Sequence, residues 1–186
     1  MKTLISSIKI TLAFCIILFA GYVMVLWGAG KIISPNNGEA ELLTLNGKTV
    51  GAANVGQQFT DIKYFHGRPS SVSYDGAGSG GSNKGVTNPE YLKEVSARID
   101  TFLILHPYLS RTEVPSEMVT ASASGLDPHI SPEAAIVQVK RVAGARGINE
   151  KTVLDIVTKN IEHPLVGKKF INVLKLNIAL DENLIN

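Results

Sequence analysis

Cysteine is almost absent from this chain: Cys15 is the single instance among 186 residues, and it lies inside an apolar run. That excludes a disulfide framework and a cysteine-based zinc site. Charge of one sign is lacking as well. Eighteen basic against sixteen acidic side chains leave a formal net charge of +2, too small an imbalance to argue for nucleic acid or a strongly acidic substrate. A phosphate loop is missing, because Lys84 follows Asn83 rather than glycine and no Lys-Ser/Thr pair occurs there. Gly76, Gly78 and Gly81 fit G-x-G-x-x-G with Asp100 further on, but the next helix signal comes only at Pro89. A dinucleotide site needs that helix to open inside the loop, so the stretch reads as a surface loop. There is no internal repeat.

What the chain does have is a long uncharged run. Residues 10–30 hold no charged side chain, with Lys9 before and Lys31 after. At about 1.5 Å per residue this makes a helix of roughly 31 Å, the thickness of a hydrocarbon core. The apolar part of a cleaved signal peptide is shorter, so an uncleaved anchor is expected, although Gly28-Ala29-Gly30 imitates a small-x-small site. Ile10, Phe14, Leu18, Leu26 and Trp27 belong to this anchor, with Tyr22 and Trp27 suited to its outer interface. Lys2 and Lys9 favour a cytoplasmic segment 1–9, which places residues 31–186 outside the cytoplasm as one soluble domain.

Within that domain, Leu42–Leu45, Asn46-Gly47 and Thr49-Val50 read as a hairpin. Residues 75–88 are rich in glycine and serine and read as a long loop. Asn88-Pro89-Glu90 opens a helix whose apolar face is Tyr91, Leu92, Val95, Ile99, Phe102 and Leu103, and His106-Pro107 ends it. Ser131-Pro132-Glu133 opens a second helix that Gly147 closes, and Asn149-Glu150 opens a third, with Val153, Leu154, Ile156, Val157 and Ile161 apolar. Leu174, Leu176, Ile178 and Leu180 alternate with other residues, the period of a half-buried strand. The pattern as a whole predicts a mixed α/β domain.

One stretch, SASGLDPHISPEAA at 122–135, gathers the residue types of a hydrolase or a metal site. Ser122 and Ser124 do not sit in G-x-S-x-G, so the nucleophile elbow is missing. Asp127 and His129, two apart on an extended backbone, point the same way and can meet one another. A metal needs more ligands, and His66, His106 and His163 lie in unrelated segments. The scaffold reading accounts for more residues: Gly125 permits a turn, Asp127-Pro128 continues it, and Ser131 caps the next helix. Arg68, in Tyr64-Phe65-His66-Gly67-Arg68-Pro69-Ser70, suits a carboxylate partner, within the fold or on another chain.

These segments together resemble the C subunit of the Kdp potassium-transporting ATPase, over nearly the whole chain. The likeness rests on Gly56-Gln57-x-Phe59, Phe65-x-Gly67-Arg68-Pro69-Ser70 and Ser79-Gly80-Gly81-Ser82-Asn83 with Thr87-Asn88-Pro89. It continues in Ser122-x-Ser124-Gly125-Leu126-Asp127-Pro128-His129-Ile130-Ser131-Pro132 and Asn172-Val173-Leu174-x-Leu176-Asn177. Lys84, Val86 and Gly144 depart from the pattern, where leucine, proline and arginine are expected.

The resemblance implies a non-catalytic subunit of an ATP-driven potassium importer. A channel-like A subunit would carry K+, a P-type B subunit would hydrolyse ATP, and a small F subunit would complete the complex. The C subunit is described as a catalytic chaperone that raises the B subunit's ATP affinity. No cofactor is expected on this chain itself, since ATP and K+ would be handled by the partner subunits. Arg68, Ser82, Asn83, Ser122, Ser124, Asp127, His129 and Ser131 are the candidate structural or partner-facing residues. The competing reading is a membrane-tethered extracytoplasmic hydrolase using Ser124, His129 and Asp127.

Overall fold

The computed structural model describes residues 2–183, which fall into two compact units, Met1–Glu41 and Leu42–Asn186. The first unit is one helix, Lys2–Ile33, long and apolar enough to cross a membrane. It runs as α1 (Lys2–Cys15), a π-helical stretch (Ile16–Tyr22) and α2 (Val23–Ile33), and none of its residues is buried. A short turn, Pro35–Gly38, follows, and Lys31 pairs with Glu39 at 3.0 Å.

The second unit opens with the expected hairpin. Strands β1 (Leu42–Leu45) and β2 (Lys48–Ala52) pair antiparallel. Asn46 and Gly47 both have positive φ, 52° and 74°, as a two-residue turn between twisted strands requires. An irregular segment from 53 to 88 leads to α3 (Pro89–Leu105), where the Asn88 side chain accepts hydrogen bonds from Glu90 N and Tyr91 N. Short 3-10 turns at Arg111–Glu113 and Ser116–Met118 precede β3 (His129–Ile130). Then come α4 (Pro132–Ile136), α5 (Val139–Arg146), α6 (Glu150–Lys159), β4 (Ile171–Asn172) and α7 (Val173–Glu182). β3 and β4 form a second antiparallel pair. The expected mixture of helix and strand is present, and its strands make two small ladders rather than a central sheet.

The core lies among α4, α5, α6 and α7, with Phe65, Met118, Ile130 and Ile171 inserted from the loops and the β3–β4 pair. Three expectations need correction. The leucines from 174 to 180 stand on α7, not on a strand. Val173, Leu174, Leu176, Asn177 and Leu180 are its buried residues, and the pairs 173/176, 173/177, 176/180 and 177/180 are spaced by three and four. The decisive signal is Asn172, whose side chain caps the helix by accepting from Lys175 N at 3.1 Å.

The helix from 132 to 147 is two helices. At the break the Gln138 side chain donates to Ala134 O at 2.9 Å, while its backbone N–H turns to Ala135 O at 3.0 Å. The side chain thus takes the carbonyl that a continuous helix would give the backbone. The third correction concerns α3. Its boundaries are as expected, and of its apolar face Phe102 is buried, Tyr91, Val95, Ile99 and Leu103 are half-buried, and Leu92 is exposed. A cleft of about 580 Å³, lined on the helix side by Ala97, Arg98, Thr101 and Phe102, separates it from the 58–74 segment.

Candidate functional site

The 122–131 stretch is a corner tied to three other segments. Ser122 N donates to Pro69 O at 3.1 Å, and Gly125 N returns to Ser122 O. Gly125 has φ 69°, and a Cβ there would lie 2.5 Å from Val72 and 2.8 Å from Gly80 O. Only glycine fits. Ser70 Oγ donates to Gly125 O at 2.7 Å while accepting from Tyr74 N at 2.9 Å. The glycine-rich loop docks on the same corner: Gly80 N and Ser79 Oγ both donate to Ser124 O, at 2.9 and 3.0 Å. From the hairpin side, Gly56 N donates to Leu126 O at 2.8 Å.

Asp127 is the centre of the polar contacts. One carboxylate oxygen accepts from Arg68 Nη1 at 3.0 Å, and the other accepts from His129 N at 3.0 Å. Arg68 therefore has its carboxylate within the fold. Its Nε is buried and has no hydrogen-bond partner. The Tyr74 hydroxyl donates to Arg68 O, and burial, with the Asp127 charge second, pushes that phenol's pKa up. His129 Nδ1 stands 3.7 Å from Asp127 Oδ1, and its ring lies edge-on to Phe170 with centroids 4.5 Å apart. Ser131 caps α4 by accepting from Ala134 N, and its hydroxyl donates to Glu117 Oε1 at 2.5 Å.

These bonds do not build a triad. Ser124 Oγ accepts from Leu126 N at 3.1 Å, and among the described residues no hydrogen bond joins it to His129. Asp127 accepts from Arg68 and a backbone amide, and the His129 imidazole stands 3.7 Å away, beyond hydrogen-bond distance. No group of three or more metal-binding side chains occurs among the described residues. The structure thus brings Arg68, Ser122, Ser124, Asp127, His129 and Ser131 into one neighbourhood. Ser82 and Asn83 lie beyond it on the exposed part of the loop, Asn83 with φ 53°. In the cleft beside α3, Glu94 is held by Arg98 at 2.6 Å and by Lys84 at 3.1 Å, and His66 Nε2 meets Asp61 O at 3.1 Å. The cleft's ionisable groups are already engaged.

Sequence reasoning missed a buried polar cluster behind the corner. Arg141, 8% exposed, reaches His106 Nε2 at 3.0 Å, Gln138 Oε1 at 2.7 Å, Tyr64 O at 3.0 Å and Ile62 O, and among the described residues no carboxylate pairs with it. Gln138 also accepts from His66 N at 2.8 Å. His106 Nδ1 lies 2.8 Å from Phe102 O, so that nitrogen carries the proton and Nε2 is free to accept from arginine. Burial, aided by the Arg141 charge, pulls the His106 pKa down to about 4, and burial lowers Arg141 itself to about 10. His66 is lowered by burial first and by Arg141 next. This cluster fixes residues 62–66 and therefore the approach to Arg68. Gln138 sits at the start of α5 and Arg141 one turn further on, and this Gln-x-x-Arg pair is the trace that was available.

Comparison with known proteins bears on all of these segments. Residues 4–182 match the family model described as "KdpC: K+-transporting ATPase, c chain". A Potassium-transporting ATPase KdpC subunit of Bacteroides fragilis (strain ATCC 25285) is 63% identical over 98% of both chains. One of Bacteroides thetaiotaomicron is 61% identical over 98% of this chain and 100% of its own. One of Flavobacterium psychrophilum is 49% identical over 98% and 99%.

Proposed function

The chain belongs to the KdpC family of K+-transporting ATPase c chains, and on that footing we propose that it is a non-catalytic subunit of an ATP-driven K+ import complex. Its apolar helix crosses the cell membrane once, with residues 1–9 cytoplasmic and the Leu42–Asn186 unit extracytoplasmic. It assembles with a channel-like A subunit, a P-type B subunit and a small F subunit, and its soluble unit docks over the A subunit's ion entrance. The observation that carries this reading is that the hydrogen bonds of the 122–131 corner tie backbone segments together and do not link Ser124, His129 and Asp127 into a relay. Ser124 Oγ accepts from Leu126 N, Asp127 accepts from Arg68 and His129 N, and among the described residues no hydrogen bond links Ser124 to His129.

The same reading makes any effect on ATP affinity indirect. The first amides of α3 are taken by Asn88, and that of Ala134 by Ser131. Glu90 and Glu133 stand in those first turns, where a phosphate would be repelled. Lys84, the cation of the glycine-rich loop, is bound to Glu94. The subunit then acts through a shift between conformations of its partners. The test is purification from detergent-extracted membranes with identification of co-purifying chains, together with K+-stimulated ATPase activity of the Ser124→Ala complex. Co-purification with an A and a B subunit and retained turnover are expected. An intact complex in which Ser124→Ala abolishes turnover would overturn the scaffold reading.

A further inference from the structure

Residues 163–169 form the turn between the bridged residues Glu162 and Phe170. At its tip stand Leu165 and Val166, 105% and 91% exposed, the most exposed large apolar side chains among the described residues. Gly167, with φ 110°, turns the chain there, and Lys168 and Lys169 follow, both exposed. Neither lysine is in an ion pair within 4.0 Å among the described residues. Glu117 and Glu133 line the groove beside them, but Glu117 is held by Ser131. Glu162, at the base of the turn, faces Lys175 at 3.8 Å.

These two adjacent aliphatic side chains stand fully in water, with no partner among the described residues of the unit. The turn's composition selects the partner. A protein hot spot centres on Trp, Tyr or Arg, and none occurs between 163 and 169. Aliphatic side chains followed by two lysines suit the boundary of a lipid leaflet, where the apolar tips meet acyl carbon and the ammonium groups meet phosphate. The covalent path agrees. Residues 34–41 separate α2 from β1, and eight residues reach at most about 29 Å. The start of the unit, Leu42, therefore lies within that distance of the end of the Lys2–Ile33 helix.

We propose that the 163–169 turn is a membrane contact, with Leu165 and Val166 entering the headgroup region of an anionic phospholipid leaflet and Lys168 and Lys169 engaging its phosphates. This rests on the membrane-spanning reading of the N-terminal helix and is independent of which partner subunits assemble with the chain.

The test uses the full chain with Cys15→Ser and Val166→Cys, carrying an environment-sensitive fluorophore, in nanodiscs of phosphatidylcholine with or without a third of phosphatidylglycerol. A probe at Lys151→Cys, exposed on α6, is the control. Both sites are on the surface, so the fold tolerates them, and circular dichroism checks this. In anionic discs the probe at 166 shifts to the blue and is quenched by nitroxide-labelled lipid at least about twofold more than the control, since lysines near an anionic surface strengthen the contact. The Lys168→Glu, Lys169→Glu double variant loses that difference. A probe at 166 that stays aqueous in both lipids overturns the proposal. So does shielding that appears only with two chains per disc, or only when partner subunits are added, because either result assigns the turn to a protein interface.

Discussion

Acidification tests the buried cluster quantitatively. His106 is fully buried, donates from Nδ1 to Phe102 O and accepts from Arg141 at Nε2. A second proton would have to sit on Nε2, facing a guanidinium. Burial and that charge hold the folded pKa at about 4 against 6.5 for an exposed ring. Because the folded value is the lower one, the unfolded chain takes up the proton first as pH falls. The stability contribution is intact above pH 6.5, declines between 6.5 and 4, and levels off below 4. The full shift corresponds to about 3 kcal/mol at ~1.4 kcal/mol per pKa unit, of which about 2 kcal/mol is lost between pH 7 and pH 5. His106→Gln keeps an acceptor and a donor but cannot titrate. Urea unfolding of the purified chain in detergent micelles, followed by circular dichroism, reads the effect. The wild-type midpoint falls between pH 7 and pH 5, and the variant's falls much less, with a residue of dependence left by His66. Equal declines in both would refute the assignment of His106 as a neutral acceptor for Arg141.

Asp127→Ala frees Arg68 and His129 N at a site three-quarters buried, and costs about 2 kcal/mol in the same unfolding assay. Gly125→Ala places a Cβ against Gly80 O on a backbone with φ 69°. It costs at least ~2 kcal/mol and raises proteolytic cutting within 70–81 as that loop undocks. Protease added to intact spheroplasts digests the Leu42–Asn186 unit and spares the helix, whereas a mature chain beginning near residue 31 would refute the anchor. Calorimetric titration of ATP into the purified chain gives no saturable binding tighter than the millimolar range. Micromolar binding that Lys84→Ala abolishes would refute the indirect route.

Much of the fold was legible wherever a local rule acts alone. Asn46-Gly47 specified the hairpin, Asn88-Pro89 and Ser131-Pro132 specified helix starts, and Gly147, with φ 67°, specified a helix end. Errors arose where a side chain competes with the backbone or where two periods overlap. Gln138 broke a helix through a bond whose other partner, His66 O, is 72 residues away. The leucines of α7 satisfy a period of two and a period of three to four, and Asn172 decides between them only once its side chain is seen over Lys175 N. The corner itself was legible as a corner. The Arg141–His106 contact was not, since it joins positions 35 apart in sequence and the Gln-x-x-Arg pair marks only one of its ends.

The likeness between this corner and a catalytic site has a physical cause. A hydrolase and a rigid corner both need short polar side chains that can reach backbone groups, so both recruit serine, aspartate and histidine beside glycine and proline. They differ in what remains unsatisfied. A catalytic serine must offer its hydroxyl to a base, and a catalytic carboxylate must spend itself on an imidazole. Here Ser124 holds Leu126 N, Asp127 holds Arg68 and His129 N, and Ser131 holds Ala134 N and Glu117. What these bonds secure is the shape of a surface. The glycine-rich loop, the Arg68 segment and the β3–α4 junction are locked together, so Ser82 and Asn83 are presented from a fixed base. On the reading proposed above, in which the chain acts by fitting a larger partner, that rigidity matters more than a reactive group.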